Sequence, residues 1–200
     1  DVSALRNVQK VSITTNTDVA GLEELAEVSD LTFKVQNKKH IILKDEFIKT
    51  LRSTTLKISG YHSTITSLLS FSKNIKHLQL GESERFSDFI HQGQGRLLNH
   101  LTSLSVYLLP NLLNLDGLED IPTVRLMNCE GIKSLNGLGR NQCVEVRFCF
   151  CLEDVSSLAT VPIVKIRNCR MLKNVNCLSK VPRLSFSPRT FYIEFSVSSG

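Results

Sequence analysis

The sequence has few of the residues that mark membrane-spanning, glycosylated or nucleic-acid-binding proteins. No apolar run reaches the roughly 18–20 residues that a membrane-spanning helix needs. There is no Asn-x-Ser/Thr glycosylation site, no tryptophan, and only three tyrosines among 200 residues. The formal net charge is +5, and the lysines and arginines are spread along the chain rather than gathered in a stripe with stacking aromatics. These absences disfavour a membrane span in this segment, a secreted glycosylated surface and a nucleic-acid partner.

Recognisable catalytic and cofactor motifs are also lacking. The five histidines do not form the HExxH spacing of a zinc site. The Gly137-Leu138-Gly139 stretch has neither the third glycine nor the following helix of a phosphate-binding loop, so we interpret it as a turn. No serine or cysteine has a base at a recognisable spacing. We therefore predict no enzymatic activity, no cofactor and no metal, and an enzyme is the least favoured class of function.

The dominant feature that is present is a repeat of twenty residues, unbroken over positions 104–186. Several columns of apolar residues keep this step, including Val124, Val144, Val164 and Leu184, and also Leu126, Val146, Ile166 and Phe186. A unit this short can bury its apolar positions only against its neighbours. The spacing therefore predicts a solenoid made of stacked repeats.

Each repeat contains one short segment with alternating apolar and polar residues. Such alternation is typical of a strand with one face in the core, and stacked repeats place these strands side by side in parallel. The same step relates two repeats in residues 1–35, where Ile13 matches Phe33. In residues 36–103 the steps lengthen, and Ile13, Phe33, Ile58, Leu80 and Val106 are separated by 20, 25, 22 and 26 positions.

The longer repeats have room for helices. Residues 44–51 and 83–90 each place aromatic and aliphatic side chains on one face, and Ser83 could cap the second helix. Residues 187–200 depart from the repeat and alternate, which favours a strand that covers the end of the stack or, alternatively, a tail that pairs with another protein. The chain opens on Asp1 within a repeat, so we expect a fragment or a processed piece of a longer protein.

All cysteines lie in the last repeats, at positions 129, 143, 149, 151, 169 and 177. Three of them, Cys129, Cys149 and Cys169, share one column, where a small thiol can pack inside. Reduced structural cysteines are therefore favoured, and a partial disulfide set and a metal site remain alternatives. Cys143 should point outward and is the best candidate for a reactive thiol. This favours a reducing, intracellular or virion-associated location over a secreted one.

The frame formed by Val124, Leu126, Cys129, Ile132, Leu135 and Leu138 resembles the leucine-rich repeats, with cysteine where asparagine is usual. The segments at 1–13 and 153–166 resemble the short repeats of internalin-type proteins, and similar twenty-residue units occur in repeat proteins of protists and large DNA viruses. The resemblance implies an α/β solenoid: a right-handed superhelix with a concave parallel sheet and with turns and a few short helices on the convex side. It also implies protein recognition as the usual role.

If the column residues of each strand point inward, the residues between them form two outward rows. The first row contains Ser12, Thr32, Lys57, Gln79, Ser105, Arg125, Glu145, Lys165 and Ser185. The second row contains Thr14, Lys34, Ser59, Gly81, Tyr107, Met127, Arg147, Arg167 and Ser187. Together with Arg183, the cations of these rows gather in the C-terminal half beside Tyr107 and Met127.

This grouping predicts a basic surface suited to an acidic segment of a protein partner or to another polyanion. The proposed contacts are Lys57, Tyr107, Arg125, Met127, Glu145, Arg147, Lys165, Arg167 and Arg183. The simpler alternative is an ordinary solvated sheet face. The alternative function is a structural or scaffold subunit of a larger multi-subunit assembly or coat, which the irregular middle and the strand-like tail favour.

Overall fold

The backbone forms one nine-stranded parallel sheet, and its strands are paired in the order in which they occur in the sequence. The computed structural model describes residues 2–15, 19–35, 50–59 and 73–187. The strands are β1 Lys10–Thr15, β2 Asp30–Val35, β3 Thr55–Ser59, β4 His77–Gly81, β5 Ser103–Tyr107, β6 Thr123–Met127, β7 Cys143–Arg147, β8 Ile163–Arg167 and β9 Arg183–Ser187. The predicted parallel sheet with one strand per repeat is therefore confirmed.

Neighbouring strands are in register at the positions that the repeat predicts. Leu126 lies opposite Val146, and Val146 lies opposite Ile166. The irregular steps are matched as well, since Ile58 pairs with Leu80 across β3 and β4. Because successive strand residues point to opposite faces, this register buries the apolar columns on one side of the sheet. We call the other side, which carries the two outward rows, the open face.

The α-helix α1 spans Glu84–His91 between β4 and β5 and confirms the helix predicted there. Its Phe86, Phe89 and Ile90 side chains are buried, as their spacing predicts. The capping role expected of Ser83 is wrong: this residue precedes the helix, but its side chain makes no capping hydrogen bond. Ser83 is itself buried, so packing rather than capping decides where its hydroxyl lies.

Two of the later repeats contain a short 3-10 helix, at Ser156–Thr160 and Asn176–Leu178. One turn of 3-10 helix takes only about three residues, so it fits within a repeat of twenty residues. The helix predicted at 44–51 and the end strand or tail predicted after Ser187 fall, almost entirely, outside the described residues.

Each of the strands β4 to β8 is followed directly by a residue with left-handed backbone geometry, and we call these five residues the turn ridge. Its members are Glu82, Leu108, Asn128, Phe148 and Asn168, with φ between 54° and 58°. The N–H of each ridge residue donates to the carbonyl of the last residue of the next strand, as in Phe148 to Arg167 at 3.0 Å. The ridge therefore joins each repeat to the next one.

Candidate functional site

The register places both predicted outward rows on the open face. In the first row Ser105 lies beside Arg125, Arg125 beside Glu145, and Glu145 beside Lys165. In the second row Tyr107 lies beside Met127, and Met127 beside Arg147. Since adjacent parallel strands are about 4.8 Å apart, side chains that are twenty residues apart in sequence become lateral neighbours.

At the centre of the open face, two arginines enclose one carboxylate. Glu145 is only 7% exposed. Its Oε2 lies 3.4 Å from Nε of Arg125, and its Oε1 accepts hydrogen bonds from Arg147, whose Nε is 2.5 Å away. Arg125 also donates from Nη1 to Ser103 Oγ at 2.9 Å. We call Arg125, Glu145 and Arg147 the arginine–glutamate cluster. Its carboxylate holds the two guanidinium groups side by side.

A pocket of about 270 Å³ opens beside this cluster. It brings together five of the predicted contacts, Tyr107, Arg125, Met127, Glu145 and Arg147. Met127 is 37% exposed and contributes an adaptable apolar wall. The pocket thus combines guanidinium donors with apolar surface, a composition that is common in the centres of protein interfaces.

The tyrosine of the pocket lies across a glycine on the preceding strand. A Cβ placed on Gly81 would lie 2.1 Å from Cζ of Tyr107, so the ring occupies the space that any other residue would fill. Gly81 and Tyr107 are direct partners in the register of β4 and β5. The glycine at this row position therefore lets the ring lie flat on the open face.

Lys57 lies away from this pocket, at a second depression of about 290 Å³. Its Nζ is 3.6 Å from Oδ1 of Asp30, and Asp30 also lies 3.6 Å from Nζ of Lys10. Lys57 is thus in an ion pair and does not extend the basic surface toward the N-terminal strands. Asp30 and Ser103 occupy the first position of their strands, in the same outward row as Arg183. The alternation that predicts the other two outward rows, continued to this position, would have found both.

Three predicted cations lie at the C-terminal end of the open face, and we call Lys165, Arg167 and Arg183 the cationic edge. Arg167 and Arg183 are exposed, and Lys165 is half-buried. Among the residues that the structure describes, no acidic side chain lies within salt-bridge distance of these three. In the C-terminal half of the open face, the cations without a described acidic partner therefore lie on β8 and β9, whereas Arg125 and Arg147 both pair with Glu145.

All six cysteines are free thiols. Cys129, Cys149 and Cys169 each direct Sγ to a carbonyl two residues earlier, at 3.6 Å, which satisfies the thiol inside the repeat. A hydrogen bond between Cys129 and Cys149 lowers the pKa of Cys129 and raises that of Cys149, and burial opposes a charge on either sulfur. Burial raises the pKa of Cys169 to about 12.

The cysteine with the greatest exposure is Cys151, in a turn, whereas Cys143 is only half-exposed because it packs between neighbouring strands. The expectation that Cys143 is the most reactive thiol is therefore not supported by the geometry. Cys151 gave no signal in the strand pattern because it follows the strand rather than belonging to it.

We expect alkylation with iodoacetamide at about pH 8 to modify Cys151 first and Cys143 more slowly. Cys129 and Cys149 should react only once the chain unfolds, because both side chains are buried. Cys169 is partly buried and burial raises its pKa, so it should react more slowly than Cys151. Peptide mass spectrometry after timed labelling in buffer and in about 6 M urea would measure this order. Rapid labelling of Cys149 in the folded protein would contradict it.

A scan against protein-family models matches none of them, and a search of curated proteins finds no significant relative. Within residues 2–15, 19–35, 50–59 and 73–187, no group of three or more His, Cys, Asp or Glu side chains could hold a metal ion. None of the helices in this part of the chain has the length and apolar character needed to cross a membrane.

Proposed function

We propose that the chain is a leucine-rich-repeat solenoid that binds a protein partner non-enzymatically through the concave face of its sheet. The observation that carries this proposal is the cationic edge beside the arginine–glutamate cluster. Lys165, Arg167 and Arg183 are presented on adjacent strands without a described acidic partner. The partner is expected to supply the missing carboxylates from an acidic segment.

Several properties of the surface support this role. The pocket beside the cluster contains Tyr107, Met127 and two arginines, residue types that are enriched at protein interfaces. Glu145 preorganises the guanidinium groups of Arg125 and Arg147, so less side-chain freedom is lost when a partner docks. The regular twenty-residue spacing and the parallel register favour the solenoid.

Reversing the charge of the cationic edge tests the proposal. The variant K165E/R167E/R183E should bind a fluorescein-labelled peptide of about 12 alternating Asp and Glu residues at least tenfold more weakly than the unchanged chain, as measured by fluorescence anisotropy at low salt. All three side chains lie on the open face, where they make no contact with a described acid, so the variant should retain its circular dichroism spectrum.

A matched control distinguishes the effect of the cationic edge on peptide binding from the effect of the net charge of the chain. The variant K133E/K173E/K180E makes the same change in net charge at three exposed lysines outside the strands. Its affinity for the acidic peptide should stay within about threefold of the original value. Equal losses in the two triple variants would show that binding follows total charge and would refute recognition by the open face.

A structural subunit of a larger assembly is the second candidate. It is favoured by large apolar side chains in the segments between strands, where Leu97 is 53% and Leu113 is 64% exposed. Light scattering during size-exclusion chromatography distinguishes the two candidates. A monomer at about 10 μM favours the recognition module, whereas a particle of fixed stoichiometry favours the structural subunit.

A further inference from the structure

An exposed aromatic side chain lies next to the cationic edge, at the carboxyl ends of β7 and β8. Phe148 is 37% exposed and belongs to the turn ridge, with φ of 56°. Bulky side chains rarely adopt this left-handed geometry. The ridge positions on either side of it, Asn128 and Asn168, hold asparagine, which tolerates such geometry. Formation of this turn therefore does not require phenylalanine at position 148.

Phe148 is connected to Arg167 through its backbone and to Arg170 through the ring of Phe150. Its N–H donates to the carbonyl oxygen of Arg167 at 3.0 Å, so the backbone of Phe148 is joined to the last residue of β8, which belongs to the cationic edge. Its ring meets that of Phe150 edge-to-face, with centroids 6.4 Å apart. The guanidinium of Arg170 lies 4.8 Å from the centroid of Phe150. The aromatic pair is thus held in place by a cation–π contact.

We propose that Phe148, Phe150, Arg167 and Arg170 form an apolar anchor site for the acidic partner, which would carry an aromatic or aliphatic side chain next to its carboxylates. This inference rests on the proposed function and specifies the chemistry of the partner. Apolar anchors that are surrounded by charged contacts contribute most of the affinity in many protein interfaces. The cationic edge supplies the charge complementarity, and Phe148 supplies the apolar contact.

The arrangement fits a peptide better than a nucleic acid. Proteins that bind single strands present successive aromatic rings along a basic groove, so that consecutive bases can stack. Here Phe148 is flanked on the ridge by Asn128 and Asn168, and one exposed ring with its half-buried partner Phe150 provides a single anchor. A single apolar contact among cations matches one side chain of an acidic peptide.

Two peptides of about 12 residues test the inference. Both consist of alternating Asp and Glu, one with Phe-Leu at its centre and the other with Ser-Ser. The unchanged chain should bind the Phe-Leu peptide about tenfold more tightly, a difference of roughly 1.4 kcal/mol. Phe148→Asn should remove this preference, and Phe148→Tyr should retain it. The melting temperature of Phe148→Asn should change by less than about 4 °C, since relief of the left-handed strain opposes loss of the ring contact.

Leu108→Asn is the matched control, because Leu108 is an exposed apolar residue at the same ridge position but two repeats away. It should leave the preference for the Phe-Leu peptide unchanged. Equal affinities for the two peptides would overturn the anchor site and leave the proposed function standing. Binding of neither peptide would overturn both. Binding of a single-stranded oligothymidylate of the same charge as tightly as the Phe-Leu peptide would show that the assigned partner class is wrong.

Discussion

Replacing Gly117 with alanine is expected to lower the free energy of unfolding by about 3 kcal/mol. Gly117 has a φ of 81°, and a Cβ there would lie 2.6 Å from the backbone nitrogen of Arg96 and 2.9 Å from the carbonyl carbon of Gly95. The left-handed geometry costs an alanine about 1–2 kcal/mol, and displacing packed backbone adds about 1–3 kcal/mol. Urea unfolding followed by circular dichroism measures the loss.

Gly93→Ala distinguishes the cost of the left-handed geometry from the cost of displacing the neighbouring backbone. Gly93 has a similar φ of 74°, but no atom lies within 4 Å of the position of the added Cβ. This variant should lose only about 1 kcal/mol, the cost of the left-handed geometry alone. The difference between the two variants measures the close approach of neighbouring repeats. If Gly93→Ala is as destabilising as Gly117→Ala, the backbone contact with Gly95 and Arg96 is not a stability determinant.

Removing both arginines of the arginine–glutamate cluster is expected to destabilise the protein by about 3 kcal/mol. The variant R125A/R147A removes both cations that pair with the buried carboxylate of Glu145, and an uncompensated buried charge is costly. Each single variant should cost only about 1 kcal/mol, because the other arginine remains beside Glu145. The double variant should therefore lose more stability than the two single variants together.

Two further variants test that explanation. Adding Glu145→Gln to the double variant should recover most of the lost stability, because an amide carries no charge to bury. K10A/K57A provides the comparison, since Asp30 is also placed between two cations but its side chain is 26% exposed. That variant should lose less than about 1 kcal/mol. Strictly additive losses at Arg125 and Arg147 would contradict the proposed role of the buried carboxylate.

The two destabilising changes, at Gly117 and at the arginine–glutamate cluster, differ in whether they also alter the proposed binding surface. The contact between Gly95 and Gly117 lies between repeats and sets how closely neighbouring repeats approach each other. The arginine–glutamate cluster lies on the open face itself, so its loss changes stability and the electrostatics of the surface together. Charge reversal at Lys165, Arg167 and Arg183 is therefore the cleaner test of recognition, because none of these side chains compensates a described buried acid.

The strand order and the register could be predicted from the spacing of apolar residues, and so could the membership of the two outward rows. A strand that slips by one residue would turn its apolar side chains to the open face, so the period of the columns allows one register. The helix at Glu84–His91 was equally visible because Phe86, Phe89 and Ile90 share one of its faces. The strands and the helix follow from the spacing of apolar residues within each segment, and the register follows from the twenty-residue step between segments. Both spacings can be read directly from the sequence.

The division of the basic surface was decided by the tertiary structure. The sequence places Arg125, Arg147 and Arg167 in neighbouring repeats. Only the side-chain packing shows that Glu145 pairs with Arg125 and Arg147 and does not pair with Arg167. Phe148 likewise gave no periodic signal, since its exposure and its position beside Arg167 follow from the left-handed turn and the hydrogen bond across the repeats. The spacing of apolar residues determines which strands pair, because all apolar side chains on one face of the sheet are buried together. Ion pairing and turn geometry depend on side-chain rotamers and on distances between strands, which are defined only in the folded structure.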